Sequence, residues 1–149
     1  MKQQRYLGID YGDKNIGISI SDPTGVIAVP VTTITRKDTN TIKPYVFQIG
    51  ELLKEYDVET IVLGFPKNMN NTQSERADIT INFKERLERN FKKVQVILWD
   101  ERLSSLAAER FFREQNIKTK DQKSLIDQLS ACIILQNYLD YTTNIKKED

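Results

Sequence analysis

Up to about residue 35 this chain carries strand patterns alone, and after it strand and helix patterns alternate, which limits the folds open to it. Residues from about 4 to 10 form a short, nearly continuous apolar run ending at Asp10, the pattern of a strand buried on both faces. Ile16, Ile18 and Ile20 then alternate with Gly17, Ser19 and Ser21, the period of a half-buried strand. The turn cluster Tyr11-Gly12-Asp13-Lys14-Asn15 between them predicts a hairpin. A second turn, Asp22-Pro23-Thr24-Gly25, leads into a third strand over Val26 to Ile34. Pro30 removes a ladder donor there, which marks an edge strand and leaves the first strand central.

Beyond that point short apolar runs alternate with helical spacing. Ile42, Val46, Ile49 and Leu53 predict a helix over Thr39 to Lys54, with Pro44 early where a helix tolerates it. Thr60 to Gly64 reads as a strand, Ile79, Phe83, Leu87 and Phe91 as a second helix, and Val94 to Trp99 as the next strand. Ser104 or Ser105 can cap a third helix through Phe112. A basic polar stretch through Lys118, Lys120 and Lys123 then precedes a last helix to about Tyr141, with 140–149 as a fraying tail. The expected fold is α/β: a mixed five-stranded sheet, three N-terminal antiparallel strands and then two parallel ones, flanked by helices. At 149 residues and 39% hydrophobic, the chain has material for one core, so 1–149 is expected to form one domain.

Three acidic residues interrupt or end apolar runs: Asp10, Glu101 in Trp99-Asp100-Glu101-Arg102-Leu103, and Asp127 in Leu125-Ile126-Asp127-Gln128-Leu129. The chain contains no His. His-ligated zinc and Ser-His or Cys-His nucleophiles are therefore excluded, and the remaining common reason for inward carboxylates is a shared site for hard divalent cations. Two magnesium or manganese ions about 4 Å apart suit phosphodiester hydrolysis. Each residue also has a plainer reading. Asp10 can be a turn residue ahead of Gly12, Glu101 a local ion-pair member, and Asp127 the acidic end of a capping box starting at Ser124. Against the cap, helical spacing aligns Asp127 with Ala131, Ile134 and Tyr138 on an apolar face, and a place near the helix start would favour its ionised form.

The formal charge of +1 provides no global field for nucleic acid, so binding must come from local groups. Lys67, Arg102, Lys118, Lys120 and Lys123 can hold phosphates, or be solvated loop charges. Asn68, Asn70 and Thr72 lie in a loop rich in uncharged donors, suited to phosphate oxygens or sugar hydroxyls, or simply a surface turn. Tyr11, Phe65 and Trp99 can stack on bases, although aromatics beside strands belong more often to the core. Cys132 stands alone, without a disulfide or CxxC partner, and reads as a small core residue. Met1 to Gln4 lead into the first strand without an apolar signal segment, and no run approaches the ~18 apolar residues of a membrane span, so a soluble, cytoplasmic protein is expected.

Four stretches together resemble the YqgF (RuvX) family of ribonuclease H-like proteins. They are Leu7-Gly8-Ile9-Asp10-Tyr11-Gly12 with Gly17 and Ser21-Asp22-Pro23; Val62-Leu63-Gly64-Phe65-Pro66 with Asn68-Met69; Asp100-Glu101-Arg102-Leu103-Ser104-Ser105; and Ile126-Asp127-Gln128-Leu129-Ser130-Ala131 with Ile134-Leu135-Gln136. The resemblance implies a ribonuclease H-like fold and a nuclease for the 5′ end of precursor 16S ribosomal RNA, with Asp10, Glu101 and Asp127 as its acidic triad. The chain departs from the family pattern at Phe65 and at Asn70-Asn71. Three other readings stand beside it: a Holliday-junction resolvase, which needs a symmetric dimer where the RNA nuclease can be monomer or homodimer; a non-catalytic nucleic-acid-binding or scaffold protein; and an actin-like nucleotide-binding lobe, disfavoured because such sites need two lobes.

Overall fold

The computed structural model describes residues 5–37, 41–65, 75–100 and 119–148. Its elements are β1 (Arg5–Tyr11), β2 (Asn15–Ser21), β3 (Ala28–Thr35), α1 (Lys43–Glu55), β4 (Val58–Phe65), α2 (Glu75–Asn90), β5 (Gln95–Asp100) and α3 (Thr119–Glu148). The five strands form one sheet in the order β3-β2-β1-β4-β5. β2 is antiparallel to both β1 and β3, whereas β1, β4 and β5 run parallel. β1 is thus central, as its unbroken apolar run requires, and β3 carries Pro30 on the edge.

Strand alternation divides the sheet into two faces. Leu7, Ile9 and Tyr11 of β1, Ile16, Ile18 and Ile20 of β2, and Ile61 and Leu63 of β4 pack against α1 and α2 in the larger core. The opposite face carries Gly8 and Asp10, Gly17, Ser19 and Ser21, and Val62, and is covered by α3 through Ile134, Leu135 and Leu139. Tyr11 stacks on Phe83 of α2 with ring centroids 3.9 Å apart, so this aromatic belongs to the core. Trp99 meets Tyr138 and Tyr141 of α3.

The hairpin between β1 and β2 closes through the Gly12 N–H, which donates to the Asn15 carbonyl at 2.9 Å. At the next turn the Asp22 carboxylate accepts from the N–H groups of Ile27 and Val26 and from the Thr24 hydroxyl. The Ile27 N–H, then the Thr24 hydroxyl and the Val26 N–H, hold its carboxyl below the ordinary 3.8.

Three differences from the sequence reading follow from packing. α3 starts at Thr119, so Lys120 and Lys123 belong to its helical backbone rather than to a stretch before it, and it continues past Tyr141 to Glu148. In α2 the buried stripe is Ala77, Thr80, Phe83 and Leu87, while Ile79 is exposed. Strict spacing of four drifts around a helix of 3.6 residues per turn, so Ile79 turns outward, whereas Phe83 and Leu87, and Phe91 just past the helix end, pack on the core. α1 begins at Lys43, with Pro44 in its first turn and Ile42 as N-cap. The expected third helix falls outside the described residues.

Candidate active site

Asp10 occupies the carboxyl end of β1, directly opposite Gly17 of β2. Residues paired across antiparallel strands project to the same face, with Cβ positions about 5 Å apart. A Cβ added to Gly17 would run into the Asp127 carbonyl and come within 3.1 Å of the Asp127 Cβ. Gly17 therefore admits the backbone of α3 onto the sheet at the position across from Asp10. Two carboxylates from opposite ends of the chain are brought to one face, over one strand end. On the other side of Asp10, Gly64 follows Leu63, the partner of Ile9, so the neighbouring position in β4 also lacks a side chain.

The close approach of α3 continues down the strand pair. A Cβ on Gly8 would lie 2.8 Å from the Ala131 carbonyl and from the Leu135 Cβ. The Ser19 hydroxyl donates to that same Ala131 carbonyl at 2.9 Å in a buried bond. Gln136 pins the helix to the start of β3: its Oε1 accepts from the Ala28 N–H and its Nε2 donates to the Val26 carbonyl, both at 2.9 Å. These contacts fix the axial position of α3, and with it the height of Asp127 above the sheet.

Asp127 is half-buried, and desolvation raises its carboxyl above the ordinary 3.8. Ser124 lies inside α3 rather than ahead of it, so the capping-box reading does not hold. The position is also more than two turns into the helix, beyond the reach of the favourable N-terminal dipole. Burial governs this carboxylate.

Two guanidinium groups brace the exit of β1 from the opposite face. Arg36 donates to the Gly12 carbonyl at 3.1 Å and lies over the rings of Tyr11 and Tyr45. Arg76 donates to the Tyr11 carbonyl and pairs with the Asp13 carboxylate at 2.5 Å. The sequence reading missed both arginines, because no local pattern joins the end of β3 or the start of α2 to the end of β1. Asp100 pairs with Phe65 on the α1–α2 side, whereas Trp99 faces α3. Glu101, Arg102, Lys118, Lys67, Asn68, Asn70 and Thr72 lie outside the described residues. Among the described residues no group of three or more acidic, Cys or His side chains forms a metal-binding cluster.

The profile of the RuvX family, described as "Holliday junction resolvase", matches residues 4–141. The chain belongs to the RuvX family. Its relatives include a protein of Acetivibrio thermocellus, 46% identical over 91% of this chain and 95% of that protein, and one of Agathobacter rectalis, 41% identical over 94% and 97%. A Staphylococcus aureus relative is 38% identical over 94% of this chain and 98% of that protein. All three bear the name "Putative pre-16S rRNA nuclease". Among solved structures, Thermus thermophilus RuvC in complex with a Holliday-junction substrate superposes with a TM-score of 0.58 at 14% identity, covering 95% of this chain and 96% of that one. At that identity the likeness identifies the fold of this RuvX-family chain as ribonuclease H-like.

Proposed function

We propose that this protein is a nuclease that hydrolyses RNA phosphodiester bonds and processes the 5′ end of precursor 16S ribosomal RNA. The observation that carries the proposal is the seating of Asp127 on Gly17, opposite Asp10. An α3 residue without a ligand to hold would be expected to cover this face with an apolar side chain, as Ala131, Ile134 and Leu135 do further along. The names of the relatives supply the RNA substrate.

Asp10, Asp127 and Glu101 are the proposed holders of a magnesium or manganese pair. The donor set fits: it is all oxygen, and Asp127 is half-buried where only a counter-charge favours its ionised form. Glu101 enters this proposal from the sequence alone, as the residue after Asp100. When bound, such ions lower the pKa of a water and stabilise the leaving oxygen. The protein's own part is to orient. The central strand holds Asp10 between two glycines, the Ser19 and Gln136 bonds hold Asp127 at its height, and Arg36 and Arg76 fix the backbone after Asp10. Phosphate contacts are proposed for Lys67, Asn68, Asn70, Thr72, Arg102, Lys118, Lys120 and Lys123.

Asp10→Asn keeps the shape of the side chain and removes its charge. With magnesium or manganese and a ribosomal precursor leader as substrate, its cleavage rate should fall on the order of a hundredfold or more. Unchanged cleavage would end the assignment, and tight RNA binding by wild-type protein without metal-dependent turnover would favour a binding role. The family description supports a second reading, cleavage of four-way DNA. Paired, symmetric cuts by a stable dimer on a synthetic junction would establish it, and a monomer that cuts only the RNA leader would remove it.

A further inference from the structure

On the sheet face away from Asp127, α1 and α2 leave two adjoining grooves with volumes of about 220 and 370 Å3. The larger begins at Tyr11, the residue after Asp10, and passes Ile79 and Phe83 to Arg86 and Arg89. The smaller continues from Arg86 past Phe91 to Phe47, Lys43 and Lys54. Arg86 lines both, so the grooves form one track that starts behind the proposed catalytic strand.

The track has the chemistry of a single-stranded nucleic-acid path. Four cations line it, Lys43, Lys54, Arg86 and Arg89, against two carboxylates, Glu51 and Glu85. This excess is local, on a chain whose whole formal charge is only +1. Arg86 stands between the two grooves and lines both, half-buried, so its guanidinium is shared by the whole track. Phe47 is 68% exposed, the most exposed of the large hydrophobic side chains among the described residues. It lies one helical turn from Lys43, and the floor beside it is Phe91 against Gly50, where an added Cβ would sit 2.9 Å from the Phe91 ring. An exposed ring among lysines and arginines offers stacking and phosphate pairing together, whereas a protein partner for an apolar groove would not need the cations.

We infer that the α1–α2 face is a second binding surface, which takes the single-stranded flank of the RNA substrate, with phosphates along Arg86, Arg89, Lys43 and Lys54 and a base stacked on Phe47. The inference rests on the nuclease reading for the choice of RNA, but its test does not need turnover. Affinity for a single-stranded RNA of about 16 nucleotides, the upper end of a single-strand site, is measured without divalent ions. Phe47→Ala should bind about tenfold more weakly. The double variant Lys54→Gln, Arg89→Gln should show a salt dependence shallower by about 1.4 in the log–log slope. All three side chains are exposed, so unchanged thermal midpoints confirm that folding is intact. Wild-type RNA affinity and salt slope in these variants overturn the inference, as does a loss confined to single-stranded DNA or to a captured protein partner. Because Asp10 is untouched, failure here leaves the proposed active site standing, and failure of the Asp10→Asn test leaves this surface standing.

Discussion

Asp127 sits where burial penalises its charge, and the sign of that penalty makes a testable statement about pH. Its carboxyl titrates above the ordinary 3.8 in the folded chain because desolvation disfavours the anion. For an acid whose folded pKa is raised, the stabilising contribution of the protonated form is complete below the unfolded value and disappears as pH rises through the folded one. At neutral pH and without divalent ions, ionised Asp127 therefore weakens the fold. Asp127→Asn should raise the thermal midpoint at pH 7 in chelator by about 2 °C, with the difference from wild type vanishing below pH 3.8. Thermal unfolding followed by circular dichroism at several pH values checks this, and a variant less stable than wild type at pH 7 would mean that the carboxylate is held by a structural partner. The same residue that lowers stability is then the one proposed to hold the cation, as expected of a group retained for chemistry.

At the scale of elements, the site depends on how closely α3 approaches the β1–β2 hairpin. Gly8 and Gly17 leave no side chain between helix and sheet, and Ser19 satisfies a helix carbonyl from below. A methyl group at residue 17 must displace the Asp127 backbone, which no flexible side chain can relieve. Gly17→Ala should lower unfolding stability by about 1–3 kcal/mol in chemical denaturation and should reduce cleavage further than the lost stability explains, because Asp127 is lifted from Asp10. Activity equal to wild type in the folded fraction would show that the helix height is not critical. Phe83 and Tyr11 perform the matching task on the other face, where their stacked rings hold α2 against the strand that carries Asp10.

In the molecule as a whole, metal binding and folding are expected to be linked, because the proposed ligands lie far apart in sequence, at residues 10, 101 and 127, and a site built from them could exist only in the native state. Saturating magnesium, at about 100 times its dissociation constant, should stabilise wild-type protein by about 2.7 kcal/mol in chelator-referenced unfolding, and Asp10→Asn should lose most of that gain. Equal stabilisation of both proteins would place the ion elsewhere. No helix among the described residues is long and apolar enough to cross a membrane. Much of the architecture was legible in sequence, because a two-residue period that gives way to helical spacing, with Pro30 demoting one strand to the edge, leaves few ways to order five strands. Asp10 and Asp127 were legible as charges on apolar faces. The seat of the Asp127 backbone on Gly17, across from Asp10, was not, since it depends on a register pairing Asp10 with Gly17 and on a helix docked through glycines far away in sequence. The extent of α3, the exposure of Ile79, and the bracing by Arg36 and Arg76 were likewise decided by packing. Periodicity is a local property of the chain and is written in its order of residues, whereas proximity between distant segments is set by which faces bury against each other, and that only the tertiary structure decides.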